Sequence, residues 1–251
     1  MPDPRDTSIA GPSGELPDTR ASAVFGLRSG DEAGRKQALE VLIAAYWKPV
    51  YKIVRRHWSK SNEDAKDLTQ EFFSLAIEKD FFESFDPDRG RFRTFLVVCL
   101  KRFLSNADRA ARRLKRGGGT PAWSLDFGAA DEELAREPAA PENEEDYFER
   151  EWVRHLIAMA VDDVRTEFVL KGRPAPFQVF ERYDLAPPDQ ERPTYEALAA
   201  EVGITPVDVT NYLHQVRKRL RERLLARLRE ITGSEEEYRD EVRAFFREPP
   251  G

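Results

Sequence analysis

Residues Thr194 to Arg221, TYEALAAEVGITPVDVTNYLHQVRKRLR, have the spacing of two helices crossing over a tight turn. Leu198 and Ala199 fall on the inner side of the first helix, and Ala199 is small enough to let a second helix approach. Gly203, four residues on, supplies the turn, because glycine enters left-handed backbone without steric cost. Thr205 is a suitable N-cap, and Pro206 stands at the first helical position, where a missing N–H is harmless. Val209, Tyr212, Leu213, Val216 and Leu220 then recur at helical spacing as a buried stripe. Pro206, Asp208, Asn211, His214, Gln215 and Lys218 are left facing outward. Amide, imidazole and ammonium groups on one helix face match the donors and acceptors of base edges in a DNA major groove. An ordinary helical hairpin with a polar face has the same spacing.

Working outward, helical periodicity recurs and strand-like alternation does not, which predicts an all-α fold. Arg35 to His57 repeats Leu39, Leu42, Ile43, Tyr46, Trp47, Val50, Tyr51 and Val54 on one broad face, interrupted by Pro49, as one kinked helix or two abutting ones. Asn62 is the expected cap of a helix over residues 63–79, with Ala65, Leu68, Phe72, Phe73, Ala76 and Ile77 inward and Asp64, Asp67 and Glu71 on another face. A third long helix over 92–116 places Phe95, Leu96, Cys99, Leu100, Phe103 and Leu104 inside and ends at Gly117–Gly119. Residues 117–146 mix Gly, Pro, Ala and acids without periodicity and read as an acidic flexible linker in which Trp123 and Leu125 are the odd residues. Helical pattern resumes at Tyr147, and residues 235–247 form an amphipathic helix burying Tyr238, Val242, Phe245 and Phe246. The expected organisation is a disordered tail (1–20), a small helical domain (21–116), the linker (117–146), a second helical domain (147–232) and an extra C-terminal helix (233–251).

A net charge of −6 argues against nucleic acid, but its distribution reverses that reading. From Arg89 to Arg116 there are ten Lys and Arg against one acidic residue, Asp108, and Arg217 to Arg229 is a second basic stretch. Segregated charge favours binding through particular faces. The single Cys99 cannot form an internal disulfide, and no apolar run is long enough to span a membrane, so a soluble, unsecreted protein of a reducing compartment such as the cytoplasm, without membrane contact, is expected. An enzyme finds little support: His57, His155 and His214 show no ligand spacing, Asp67 and Glu71 lack an accompanying HExxH, and no phosphate-binding glycine loop follows a strand. No catalytic residue, metal or cofactor is expected.

AYWKPVY at 45–51, DAKDLTQEFF at 64–73, FDPDRGRFRTFL at 85–96, KRGGG at 115–119 and the C-terminal helix-turn-helix occur in the order found in bacterial RNA polymerase sigma factors. The chain resembles those of the two-domain, extracytoplasmic-function (ECF) type. The resemblance implies that residues 21–116 grip the β′ clamp helices of core RNA polymerase and open the promoter minus-ten element. It likewise implies that residues 147–232 read the minus-thirty-five element and dock on the β flap. Core-polymerase binding carries over to Asp64, Asp67, Leu68, Gln70, Glu71 and Phe72, with Lys66 standing where many members have an acidic residue. Minus-ten contacts carry over to Lys101, Arg102, Asn106, Arg109, Arg112 and Arg113, the cations to phosphate and Asn106 to bases, while Phe103 is either a stacking face or core. Minus-thirty-five contacts carry over to Thr205, Pro206, Asp208, Asn211, His214, Gln215 and Lys218. The linker is either a solvated tether or, by resemblance, a segment that threads the polymerase cleft.

The other class weighed is a helix-turn-helix regulator that binds duplex DNA without polymerase; such proteins usually dimerise, and no heptad seam is present. A further partner is open: an anti-sigma factor, or a Ser/Thr kinase acting at Ser59, Ser61 or Thr69 to restore the charge that Lys66 removes. The C-terminal helix has three readings: holding the second domain, docking a regulator, or capping its own core.

Overall fold

The computed structural model describes residues 22–27, 31–79, 81–111, 125–137, 143–187 and 190–246, with backbone alone for Glu83 and residues 108–111. The expected tail, Arg112, Arg113, the glycines at 117–119 and Trp123 lie outside these residues. Among the described residues there are α-helices and 3-10 turns but no strand, so the fold is all-α. The helices are α1 (Ala23–Gly26), α2 (Glu32–Arg56), α3 (Asn62–Glu78), α4 (Phe92–Ala111), α5 (Phe127–Arg136), α6 (Glu144–Leu170), α7 (Ala175–Asp184), α8 (Tyr195–Val202), α9 (Pro206–Ile231) and α10 (Glu235–Phe245).

The described residues form two compact units whose division falls inside α6 and α9. The first holds residues up to Leu156 together with Leu228–Phe245, and the second holds Ile157–Arg227 and Phe246. These are not the expected boundaries: α5, the first half of α6 and α10 all belong to the first unit.

In the first unit, Asp31 caps α2 by accepting from the backbone N–H groups of Ala33 and Gly34, and the helix then runs unbroken through Pro49. Ser61, rather than Asn62, caps α3, its hydroxyl accepting from Asp64 N at 3.1 Å. Tyr46 is buried between Phe92, Phe148 and Trp152, and Phe82 and Phe85 pack edge-on to Phe92. These rings draw α2, α4 and α6 into one core.

The expected tether is helical over α5, which buries Phe127, Ala130 and Leu134 and sets Phe127 against Trp47 and Tyr51 of α2. Its acids are spent on α2. Lys52, only 3% exposed, places Nζ 2.7 Å from Glu137, 2.7 Å from Glu151 and 3.2 Å from Glu133. Asp131 accepts from Tyr51 Oη at 2.9 Å, Arg55 Nε at 3.0 Å and Asn62 Nδ2 at 3.1 Å. Burial alone would lower the Lys52 pKa, yet the bonds to Glu137 and Glu151 raise it; burial would raise the Glu151 carboxyl, yet Lys52 holds it down.

The second unit packs Val164 and Phe168 of α6, Phe177, Val179 and Phe180 of α7, Leu198 and Ala199 of α8, and Val209, Leu213, Val216, Leu220 and Leu224 of α9. Gly203 closes α8 at φ 73°, and its N–H donates to Ala199 O. Thr205 and Asp208 then form a reciprocal capping box at the start of α9, each backbone N–H donating to the other's side chain.

The basic stretch of α9 points largely inward. Arg217 forks onto Asp184, Arg219 and Arg223 meet at Glu167, and Arg227 meets Asp163, so this stretch is not the exposed cationic face the sequence suggested. Burial pushes the Glu167 carboxyl up, but bonds from Arg219, Lys171 and Arg223 prevail and bring it down to about 2. Its folded pKa thus lies below the unfolded value of about 4.3, so its stabilisation is present above that pH and fades as pH falls toward 2. Glu167→Gln is expected to flatten the acid limb of thermal stability between those pH values; a limb identical to the parent's would show that Glu167 does not couple to folding.

Candidate nucleic-acid interface

Three helix faces carry the predicted site residues. On α3, Asp64, Asp67 and Glu71 are exposed and Leu68 and Gln70 half-buried, forming an acidic strip with small apolar relief. Asp64 also accepts from Ser61 Oγ at 2.8 Å, and Lys66 turns aside to Glu63 at 2.9 Å. Phe72 is corrected: it is fully buried, with Phe73, Phe81 and Phe103 around it at ring separations of 5.2 to 5.7 Å. A large aromatic at helical spacing is drawn into the core by its own area, and no face of it remains for a partner. Thr69 is corrected likewise; it is fully buried and closed to a kinase in the folded protein, whereas Ser59 and Ser61 are exposed.

On α4, Phe92, Leu96, Val97, Leu100 and Leu104 form the buried stripe, with Phe95, Cys99 and Phe103 half-buried at its margin. Arg102 and Asn106 are exposed. Lys101 is partly engaged, its Nζ 3.1 Å from Glu145 and 3.5 Å from Glu144 at the start of α6. Arg109 lies on the last turns of α4, and Arg112 and Arg113 fall beyond the described residues. Beside the first half of α4 lies an open cavity of about 690 Å³ whose lining includes Phe85, Arg89, Arg91, Phe95, Val98 and Arg102. Planar apolar surface next to guanidinium donors suits a nucleobase and its phosphate.

On α9, Thr205, Pro206, Asn211, His214, Gln215 and Lys218 are all exposed on one side of the helix. Asp208 is different: its carboxylate accepts from both the backbone and the hydroxyl of Thr205, which holds its pKa low. It caps the helix more than it offers itself to a base.

Sequence reasoning missed two groups of side chains. Glu133 and Glu137, two of the acids on the buried Lys52, lay in a stretch read as unstructured, although Phe127, Ala130 and Leu134 have helical spacing. Glu237 and Glu241, which the sequence reading did not single out, are 7% and 1% exposed, while Val242, Phe245 and Phe246, expected to be buried, are only half-buried. The i, i+4 placement of the two acids beside Tyr238 was the available signal. Among the described residues no cluster of His, Cys, Asp and Glu is placed to hold a metal ion, and no helix is long and apolar enough to cross a membrane.

In the first unit, α3 presents an acidic face, α4 carries exposed basic side chains, and an aromatic-lined cavity lies beside α4. Residues 42–114 match the family model described as Sigma-70 region 2, a segment of the RNA polymerase sigma factors of the sigma-70 family. Region 2 serves such factors in binding RNA polymerase and melting the promoter, and the family acts in transcription initiation without being enzymes. The match spans α3, α4 and most of α2. No curated protein and no solved structure matches the chain.

Proposed function

We propose that the chain is an ECF-type initiation factor that joins core RNA polymerase through α3, opens the minus-ten element along α4 and reads the minus-thirty-five element with α9. The observation that carries this reading is the cavity beside α4, lined by residues between Ser84 and Arg102 of the stretch that matches region 2 and closed on another side by Glu145, Asp146, Phe148 and Glu149 of α6. Promoter melting needs a place for a base that has left the stack, and unstacking costs a few kcal/mol that contacts in the pocket must offset. Phe85 and Phe95 supply ring faces, Arg89, Arg91 and Arg102 supply cations, and Asn106 lies one turn further along the helix. Asp64, Asp67 and Glu71, with Leu68 and Gln70 between them, suit a partner helix rich in arginine, such as the β′ clamp helices. The exposed Asn211, His214, Gln215 and Lys218 suit a major groove, with docking of the same unit on the β flap.

The test is reconstitution with bacterial core polymerase, followed on a native gel and by permanganate reactivity of promoter thymines. Holoenzyme that exposes thymines near minus ten is the expected result. Tight binding to duplex DNA without polymerase and without opening would overturn it in favour of a self-sufficient helix-turn-helix regulator.

Lys101 provides a finer check, because Glu144 and Glu145 compete with DNA for it. Changing both acids to Gln is expected to strengthen binding of a minus-ten single strand several-fold. It should also steepen the slope of log K against log salt by about 0.7, the value for one added phosphate contact on a single strand. Fluorescence anisotropy across a salt series measures it, and an unchanged slope removes Lys101 from the phosphate contacts.

A further inference from the structure

The buried side of α10 lies against the same loop and helix that line the α4 cavity, and it carries two carboxylates. Glu237 accepts from Phe92 N, the first residue of α4, at 2.7 Å and from Gly233 N at 2.6 Å. One carboxylate thereby satisfies a donor at the start of α4 and ties the chain before α10 to it. One turn on, Glu241 Oε1 stands 3.1 Å from Arg93 Nε and 3.7 Å from Arg91 Nη1. Both arginines line the cavity. Gly233 makes the contact close: a Cβ there would stand 2.8 Å from Phe85, 3.1 Å from Val24 and 3.3 Å from Pro87.

We propose that Glu237 and Glu241 of α10 are positioning residues of the α4 cavity, holding the 85–93 loop and its arginines in the shape that receives an unstacked promoter base. The role rests on the promoter-melting reading above and assigns a part of that site to the C-terminal helix. The chemistry of the contact supports it. Burial raises the pKa of both carboxyls in spite of the neighbouring arginines, and Glu241 Oε2 meets no hydrogen-bond donor among the described residues. A core selected for stability alone would place leucine at either position, since a desolvated acid gains little net free energy from its partners. What the carboxylates provide is direction: Glu237 fixes where α4 begins, and Glu241 fixes which way Arg91 and Arg93 lean. Tyr238, packed beneath the Arg229 guanidinium with ring centroid 4.0 Å from it, anchors the helix between them.

The experiment uses the full chain with E237Q, E241Q and, from the other side of the contact, G233A. Each is measured for core-polymerase binding, for opening and base preference at minus ten in the holoenzyme, and for amide hydrogen exchange of residues 86–95. The expected result is polymerase binding close to the parent's, faster exchange across 86–95, opening reduced by about tenfold, as displacement of a positioned group predicts, and relaxed base preference. Variants that exchange faster but open the same promoters with the same base preference overturn the positioning role, leaving α10 a structural cap. Unchanged exchange overturns it as well. A parent protein that binds polymerase and opens no promoter overturns the melting reading and this role with it, and is told apart because the fault then lies in the unsubstituted chain.

Discussion

Lys52→Ala is expected to cost about 3–5 kcal/mol of stability, among the largest losses a single side chain can cause here, because removing the shared cation of a buried ion set leaves its acids undercompensated. Glu151 is 2% exposed and Glu137 largely covered; Arg150 and Arg154 stay on Glu151 Oε1 and the Tyr147 hydroxyl on Glu137 Oε2, but Glu151 Oε2 and Glu137 Oε1 each lose the ammonium that stood 2.7 Å away. Urea unfolding should show the loss, and hydrogen exchange should show α5 released before the rest. Lys52→Met combined with Glu137→Leu and Glu151→Leu should recover most of it, since apolar groups of similar volume replace a buried ion set at little cost. A Lys52→Ala protein as stable as the parent would mean that α5 does not rest on α2 in solution.

Phe72→Ala should cost about 3–5 kcal/mol through the cavity it leaves among Phe73, Phe81 and Phe103. Asp67→Ala and Glu71→Ala, on the exposed strip of the same helix, should leave stability within about 0.5 kcal/mol and weaken polymerase binding. Thermal unfolding and a native gel separate the two classes. Were Phe72→Ala to fold as well as the parent and lose polymerase, the side chain would have to be a contact residue, and its burial in the free protein would be a state that the complex reverses.

Residues whose role is local were legible in the sequence. The Gly203 turn, the Thr205–Pro206 start of α9 and the inner positions Val209, Leu213, Val216 and Leu220 stand where spacing placed them, with Tyr212 only half-buried, because caps and periodicity act over a few residues. Pro49 left two readings open, and packing of Tyr46, Val50 and Tyr51 selected one continuous helix. Distant partners were not legible. The acids of α5 look like a solvated run until α2 supplies Lys48, Lys52 and Arg55, and Arg217 to Arg227 look like a nucleic-acid face until α6 and α7 supply Asp163, Glu167 and Asp184. Charge counted along a chain carries no record of which charges are already neutralised.

The cap of α4 comes from the far end of the chain. During synthesis, α2, α3 and α4 leave the ribosome well before Glu237, so Phe92 N waits for its acceptor until residues 228–245 have been made. Closing so long a loop delays the reward of the contact and slows the last step of folding. The first unit is therefore completed only after the second has been translated, and a nascent chain halted within α9 holds α3 and α4 without the carboxylates that fix the start of α4. Synthesis of residues 228–245 becomes a condition for the finished shape of helices made long before them.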